Sequence, residues 1–308
     1  MKNKKWIALA AAVVLAVTAL PATAFAEKKD STDDKMLTKI TLNEVAHSIF
    51  YAPQYVAIEE GYFKDEGLDM TLITGFGADK TMTAVISGEA DIGFMGAEAS
   101  IYAYQEGATD PVVNFAQLTQ RAGNFLVARE EMPDFKWEDL KGRKVLGGRK
   151  GGMPEMVFEY ILKQNHIDPA SDLTIDQNID FGSTAAAFSE EKADYDFTVE
   201  FEPGATNLEK QGKGYVVASL GTDSGYVPYT AFSAKKSYIS QHPEIIQGFT
   251  NALQKGMNYV ASHTPEEIAQ VIAPQFKETT PDTITTIVSR YYEQDTWKKD
   301  LIFRQESF

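Results

Sequence analysis

The sequence contains no cysteine, and its four histidines are scattered along 308 residues. The absence of cysteine excludes disulfides, thiolate nucleophiles, zinc sites with cysteine ligands and a lipid-modified cysteine at a cleavage site. His47, His166, His242 and His263 lack the close spacing of a metal-binding set, so we expect each to lie at the surface or to be satisfied by a polar neighbour. We predict neither a metal site nor a cofactor.

Basic residues are scarce relative to acidic ones. The chain has 29 Lys and Arg against 44 Asp and Glu, which gives a formal net charge of −15 at pH 7. An acidic surface repels the phosphates of nucleic acids and the headgroups of anionic membranes. We therefore expect neither of these as a partner.

Long apolar runs are absent after residue 27. The earlier run, residues 6–20, follows three lysines and precedes Pro21 and the small-residue sequence Ala24-Phe25-Ala26. This pattern is typical of a secretory signal peptide, residues 1–26, that is cleaved near Ala26. An uncleaved membrane anchor is the alternative, but the run is short for a span of about 20 residues. We expect a periplasmic or secreted protein in which residues 27–36 form a disordered linker.

Short β-type runs alternate with helical patterns along the rest of the chain. The predicted strands of a first unit are residues 37–45, 68–73, 90–94 and 112–118, and a second unit of the same type follows. This order predicts an α/β fold with two lobes, each a mostly parallel sheet flanked by helices. Residues 124–129 and 229–235 are interpreted as two strands that cross between the lobes. The first lobe then consists of residues 37–121 and 229–308, and the second lobe of residues 122–228.

Proline and glycine set the predicted bounds of several helices. Residues 53–65 are predicted as one helix that is ended by Gly67. Residues 243–262, 265–273 and 281–293 each start at a proline, which is favoured in the first turn of a helix.

A glycine-rich stretch, VLGGRKGGMPEM at residues 145–156, follows a predicted strand and precedes a predicted helix. Its glycines allow a ligand to approach the backbone, and the N–H groups at the helix start favour acceptor atoms. Its spacing fits neither the phosphate loop G-x-x-x-x-G-K-[ST] nor the dinucleotide fingerprint G-x-G-x-x-G. The stretch is either a ligand loop that is not a nucleotide loop, or a tight turn with solvated bases.

Five stretches together resemble a known family. They are, in chain order, HSIFYAPQYVAIEEGYFKDEGLDM, SGEADIGFMG, FKWEDLKGRKV, GGRKGGMPEM and VEFEPGA. The chain is similar to the periplasmic binding proteins of ABC importers, in the branch that handles nitrate, sulfonates, taurine and thiamine pyrimidine precursors. The resemblance implies a monomeric protein with the type II periplasmic-binding-protein fold, which closes on a small molecule and delivers it to a membrane permease. It also implies that the loop from Gly147 to Glu155 lies at the edge of the cleft.

Candidate ligand-binding residues lie mainly in loops that follow predicted strands, because ligands bind outside the carboxyl ends of parallel strands. They are Phe50, Tyr51, Phe76, Gly96, Glu98, Gln117, Arg149, Gly151, Gly152, Met153, Phe181, Glu200, Glu202 and Tyr226. Carboxylates beside aromatic rings suit a flat or cationic ligand, such as an aminopyrimidine precursor of thiamine. The alternative is an alkanesulfonate, taurine or a related anion, held by helix N-termini at Gly96 and Gly152 and by Arg149.

Several of these residues also have a purely structural interpretation. Phe50 and Tyr51 could fill the core of the first lobe. Glu98 could serve only the first turn of its own helix, where acids are favoured. Glu200 and Glu202 lie on one face of an extended segment, so both face either the cleft or solvent.

No catalytic constellation is visible in the sequence. An enzyme would need a nucleophile with a base, a metal cluster or paired carboxylates, and Glu200 with Glu202 is the one close acid pair in the predicted cleft loops. We therefore predict a binding protein and not an enzyme. A signalling or adhesion module is the remaining alternative, and it would bind through an exposed apolar patch.

Overall fold

The structure is a computed structural model that describes residues 36–148, 150–179 and 182–307. The predicted signal peptide, residues 1–26, lies outside the described residues, as does the predicted linker apart from Met36. The described residues form two five-stranded sheets flanked by helices.

Ten strands occur in the part of the chain that the structure describes. They are β1 (Thr38–Glu44), β2 (Leu68–Thr74), β3 (Ile92–Gly96), β4 (Val112–Thr119), β5 (Phe125–Ala128), β6 (Lys144–Leu146), β7 (Thr174–Asp176), β8 (Phe197–Glu200), β9 (Tyr215–Ser219) and β10 (Thr230–Lys235). The first sheet has the order β2-β1-β3-β10-β4, and the second has the order β7-β6-β8-β5-β9. We call each sheet, with the helices packed on it, a lobe.

The two sheets share one topology. In each, the fourth strand, β10 or β5, runs antiparallel to both of its neighbours, and the other four strands run in one direction. These antiparallel strands are the two extended runs that were interpreted as crossing strands. The predicted α/β fold with two mostly parallel sheets is confirmed, whereas the predicted lobe boundaries along the chain stay a prediction.

Helices connect the strands and close the chain. They are α1 (Ala52–Glu59), α2 (Tyr62–Asp65), α3 (Ala78–Ser87), α4 (Glu98–Gln105), α5 (Met153–Gln164), α6 (Thr184–Ser189), α7 (Gly204–Lys210), α8 (Leu220–Ser224), α9 (Lys236–Gln241), α10 (Pro243–Ser262), α11 (Pro265–Ile272) and α12 (Pro281–Glu293). Among the described residues, no helix is both long enough and apolar enough to cross a bilayer.

The C-terminal helices begin where their sequence predicts. Pro243, Pro265 and Pro281 each occupy the first turn of α10, α11 or α12. The Thr264 hydroxyl accepts from the Glu267 N–H, and the Glu267 carboxylate accepts from the Thr264 N–H, which satisfies two backbone donors at the start of α11. Local sequence therefore fixes these three starts.

The single helix predicted over residues 53–65 is wrong. The chain forms α1 and α2, separated by Gly61 in the left-handed conformation with φ of 74°. A residue in this conformation ends an α-helix, and glycine adopts it at low cost. Three short helices, α6, α8 and α9, were not predicted, because five or six residues are too few to show a helical period.

Aromatic packing joins the C-terminal part of the chain to the first sheet. The rings of Phe94 in β3 and Phe232 in β10 are stacked with centroids 4.0 Å apart. Phe249 of α10 packs edge-on against Phe232 at 5.3 Å and also contacts Phe63 of α2. Such buried aromatic pairs add to the free energy gained by area burial. They connect α2 and α10 to β3 and β10 through contacts between aromatic rings.

Candidate ligand-binding site

Two cavities lie between the loops of the first lobe and those of the second. The larger cavity has a volume of about 430 Å³ and is lined by residues that include His47, Ser48, Phe76, Thr184, Glu200 and Glu202. This volume lies in the range of small-molecule sites, roughly 300–1,000 Å³. The smaller cavity, about 40 Å³, is lined by residues that include Tyr51, Gly96, Glu98, Met153 and Thr230. Phe201 borders both cavities.

Hydrogen bonds join the two lobes beside these cavities. The Ser48 hydroxyl, after β1, donates to the backbone carbonyl of Glu202, after β8, over 2.7 Å. The backbone N–H of Met153, at the start of α5, donates to Glu98 Oε1 over 3.1 Å. Residues from both lobes therefore contact each other beside both cavities.

Glu200 places a buried carboxyl group in the wall of the larger cavity. The hydroxyls of Thr198 and Thr184 donate to its two oxygens over 2.6 and 3.0 Å. Burial raises the pKa of Glu200 to about 7, against these two hydrogen bonds, and the charge of Glu202 adds to the increase. Each carboxylate oxygen can accept more than one hydrogen bond. Glu200 can therefore accept further hydrogen bonds from N–H groups of a ligand.

Glu202 borders the same cavity, but protein groups engage both of its oxygens. Arg290 Nη1 donates to Oε1 over 2.9 Å, the Thr206 hydroxyl donates to Oε1 over 2.8 Å, and the Thr206 N–H donates to Oε2 over 2.9 Å. Burial raises the pKa of Glu202, although the Thr206 hydrogen bonds and the Arg290 charge oppose the increase. The ion pair with Arg290 fixes this carboxylate, so Glu202 shapes the cavity wall.

His47 is held in a charged network at the edge of the larger cavity. Its Nδ1 lies 2.7 Å from Glu44 Oε1, and its Nε2 lies 3.0 Å from the Gln275 carbonyl oxygen. Burial lowers the pKa of His47, but the hydrogen bonds to Glu44 and Gln275 and the Glu44 charge outweigh it and raise the pKa overall. Both ring nitrogens face acceptors, which is the arrangement of a protonated imidazole.

The aromatic candidates divide between core and cleft. Phe50 is fully buried, and its ring lies 5.6 Å from Tyr229 and 5.2 Å from Tyr291. It lines neither cavity, in agreement with its structural interpretation. Tyr51 is equally buried and borders the smaller cavity. Phe76 borders the larger cavity with 58% of its surface exposed, so its ring is available to a ligand.

The smaller cavity brings together four further candidates. Gly96 and Glu98 come from the first lobe, and Gly152 and Met153 come from the start of α5 in the second lobe. Glu98 lies in the first turn of α4, as its structural interpretation expects, but its carboxylate also contacts α5. Gly151 borders a third cavity, which Glu98 also lines.

Two candidates lie away from both cavities. Gln117 is buried in the first sheet, where its Nε2 donates to the Thr119 carbonyl over 3.0 Å. Tyr226 is 55% exposed, and its hydroxyl donates to Asp295 over 2.6 Å. Neither side chain lines either cavity. Two other candidates, Arg149 and Phe181, lie outside the described residues.

Other cavity residues were not predicted as ligand-binding. His47 was interpreted as a surface or satisfied residue because no other histidine lies near it in sequence. Phe201 stands between two glutamates, and strand alternation would have pointed it away from them. The residues HSIF, within the first family-like stretch, were the available signal for His47 and Ser48. Within the residues that the structure describes, no group of three or more His, Cys, Asp or Glu is arranged to hold a metal ion.

The family model described as "NMT1/THI5 like" matches residues 49–268, which contain most of the lining of both cavities. The chain belongs to this family. Its relatives include a protein of Bacillus subtilis (strain 168), provisionally named binding protein YtlA, which is 44% identical over 99% of this chain and 89% of its own length. The riboflavin-binding protein RibY of Chloroflexus aurantiacus is 25% identical over 68% of this chain and 58% of its own length.

Solved structures of binding proteins have the same fold. The periplasmic aliphatic sulphonate binding protein SsuA from Escherichia coli superposes with a TM-score of 0.67 at 17% identity, covering 82% of each chain. At this identity the likeness shows the fold alone. The NMT1/THI5-like chain therefore has the type II periplasmic-binding-protein fold of these binding proteins.

Proposed function

We propose that this protein is the extracytoplasmic binding component of an ABC importer and that it closes on a small heteroaromatic ligand, such as a thiamine pyrimidine precursor. It then delivers the ligand to the transmembrane subunits of its permease. The observation that carries the ligand class is the buried Glu200 carboxyl group in a cavity of about 430 Å³.

The chemistry of the larger cavity supports a flat ligand with N–H donors. Phe76 and Phe201 border the cavity from the two lobes and offer ring surfaces for stacking. Glu200 offers acceptor atoms at the same cavity, and carboxylate oxygens pair well with an amino-pyrimidine edge. An aromatic ring with an exocyclic amino group satisfies both features at once.

A relative supports the same class of ligand. RibY is named as a riboflavin-binding protein, and riboflavin is a heteroaromatic molecule with N–H donors and carbonyl acceptors. RibY matches this chain over part of its own length only, so riboflavin is one probe among several. The thiamine pyrimidine remains the preferred ligand because it is smaller and carries an amino group for Glu200.

The sulfonate alternative has less support from the site. SsuA shares the fold and is named as an aliphatic sulphonate binding protein. In this chain, however, the N–H of Met153 at the start of α5 already donates to the Glu98 carboxylate. Glu200 adds a further acidic group to the larger cavity, and its ionised form repels an anion at close range.

A thermal-shift screen tests the proposal. The probes are the aminopyrimidine half of thiamine, riboflavin, taurine, an alkanesulfonate and nitrate. A ligand at about one hundred times its Kd stabilises the folded protein by about 2.7 kcal/mol, which is readily measured as a rise in Tm. We expect the aminopyrimidine to raise the Tm and the anions to leave it unchanged. A shift with anions alone would contradict the proposed ligand class.

Calorimetry on one pair of variants then tests the site. Glu200→Gln keeps the size of the side chain but removes its charge, and we expect at least tenfold weaker binding of the aminopyrimidine. Glu191→Gln makes the same change at an exposed position of the same lobe and should leave the Kd unchanged. Equal affinity in both variants would remove Glu200 from the ligand site.

A further inference from the structure

We infer that Glu98 sets the ligand class of this protein by filling, with its own carboxylate, the position that an anionic ligand would occupy. The inference rests on the proposed binding function and deepens it. The cleft then accepts neutral or cationic molecules and rejects sulfonates and other anions.

Glu98 belongs to the first lobe but contacts the second. It is the first residue of α4, and its Oε1 accepts the hydrogen bond of 3.1 Å from the N–H of Met153, the first residue of α5. N–H groups in the first turn of a helix have no intrahelical acceptor and lie at the positive end of the helix dipole, so they favour anions. The Glu98 carboxylate is therefore an internal anion bound at the start of α5.

Gly96 makes this position of the carboxylate possible. The Glu98 side chain folds back over Gly96, and a Cβ atom at residue 96 would overlap its carboxylate. Glu98 is 7% exposed and borders the smaller cavity between the lobes. The charge is thus held inside the cleft, where low solvent exposure strengthens its repulsion of a second anion.

Hydroxyl groups on the same cavity add hydrogen-bond donors. Tyr51 and Thr230 are both almost fully buried and line the cavity beside Glu98. Burial raises the pKa of Tyr51, so its phenol keeps its proton and remains a donor. The Thr230 hydroxyl interacts with the Tyr51 phenol, but it has no hydrogen-bond partner of good geometry among the described residues. Together with the Met153 N–H, these donors would surround an anion if the carboxylate were removed.

Replacement of Glu98 should therefore convert the cleft from one that rejects anions to one that binds them. Glu98→Ala removes the carboxylate and vacates its space, so the donors of Met153, Tyr51 and Thr230 become available. Glu98→Gln removes the charge but keeps the side chain in place, so it should give a smaller gain. Glu89→Ala removes one acidic charge from an exposed position of the same lobe and is the matched control.

Calorimetric titration of each protein with methanesulfonate and with sulfate tests the inference. We expect Glu98→Ala to bind methanesulfonate at least ten times more tightly than the wild type, Glu98→Gln to show a smaller gain, and Glu89→Ala to show none. A cooperative melting transition in each variant confirms that it is folded. If Glu98→Ala does not fold, the inference is tested by comparing the methanesulfonate affinity of Glu98→Gln with that of the wild type.

Three results would overturn the inference. They are a folded Glu98 variant with no gain in anion affinity, a wild type that already binds methanesulfonate as tightly as the variant, and an equal gain in Glu89→Ala. None of them depends on the heteroaromatic ligand. If the wild type binds no heteroaromatic probe, that result contradicts the proposed function. The comparison of anion affinity between the wild type and the Glu98 variants is still valid in that case.

Discussion

Glu200 and Glu202 lie two residues apart at the end of β8, and their buried carboxyl groups have different partners. Glu202 is paired with Arg290 at 2.9 Å, whereas Glu200 receives hydrogen bonds only from neutral hydroxyls among the described residues. An ion pair favours the charged form of a carboxyl group, and burial among neutral groups disfavours it. Because burial raises the pKa of Glu200 to about 7, this group can change its protonation state near neutral pH.

The first prediction is a pH dependence of ligand binding that originates at Glu200. Its pKa is about 7, so its ionised fraction increases about tenfold between about pH 6 and about pH 8. Binding through an ionised carboxylate should therefore tighten by about this factor for an aminopyrimidine probe that does not itself titrate in this range. Calorimetry at several pH values measures the change. Glu200→Gln should abolish it, and a pH-independent wild type would contradict the assignment.

The free energy of unfolding of the ligand-free protein should fall as the pH rises, whereas ligand binding should tighten. The folded pKa of Glu200 is raised from 4.5 to about 7. The stabilisation of the folded protein by the protonated Glu200 carboxyl group is fully present below pH 4.5. It is lost as the pH rises through about 7, because the buried group must then ionise. We expect a loss of about 3 kcal/mol in the free energy of unfolding across this window, since each unit of pKa difference corresponds to about 1.4 kcal/mol. Urea unfolding of the wild type, Glu200→Gln and Glu191→Gln at several pH values measures this loss. An equal dependence of the free energy of unfolding on pH in all three proteins would contradict the prediction.

The second prediction concerns the ion pair between Arg290 and Glu202. Arg290→Met leaves a buried carboxylate without its cationic partner, which should lower the free energy of unfolding by about 3 kcal/mol. Lys163→Met is the control, because it breaks an exposed pair with Glu159 on one helix and should cost less than about 0.5 kcal/mol. Denaturant unfolding at neutral pH compares the two. Similar losses in both variants would show that the buried pair contributes no more than the exposed one.

The partnership of Arg290 and Glu202 also shows what could not be predicted from sequence. The two residues are 88 positions apart, and no local pattern links them. Alternation along the chain predicted that Glu200 and Glu202 share a face, and both do border the larger cavity. Which of the two carboxyl groups can accept hydrogen bonds from a ligand depends on tertiary contacts, since Arg290 of α12 engages Glu202. The same holds for the Gln275 carbonyl that faces His47 from 228 positions away.

Elements with strong local signals were predicted well. The ranges of α10 and α12 match the sequence prediction residue by residue, because proline starts and apolar periodicity define both helices. The β-α alternation also predicted that the parallel strands end at the cleft. Phe50 shows the limit of that argument: a loop after a strand was correctly placed, yet the side chain turned into the aromatic core instead of the cleft.

The third prediction uses two glycines of α10. A Cβ at Gly256 would overlap the Pro53 carbonyl oxygen and lie 3.1 Å from Ala57 Cβ, both in α1. Gly256→Ala should therefore lower the free energy of unfolding by about 2 kcal/mol through overpacking. At Gly248 the nearest atom to a Cβ lies 3.4 Å away, so Gly248→Ala should gain about 0.5–1 kcal/mol from helix propensity. Thermal unfolding of both variants tests the contrast, and a stabilised Gly256→Ala would show that the α1–α10 contact is looser than described.

The fourth prediction is the charge state of His47. Both of its ring nitrogens face acceptors, and its pKa is raised above 6.5. The stabilisation from this imidazolium is fully present below pH 6.5 and is lost as the pH rises through the raised pKa. A proton NMR titration of the His47 ring should show a midpoint above 6.5 in the wild type and a lower one in Glu44→Gln, which removes the adjacent negative charge. Glu60→Gln, at an exposed position just after α1, should leave the midpoint unchanged. A wild-type midpoint at or below 6.5 would show that burial outweighs the two hydrogen bonds and the Glu44 charge, and that His47 enters the cleft wall as a neutral ring.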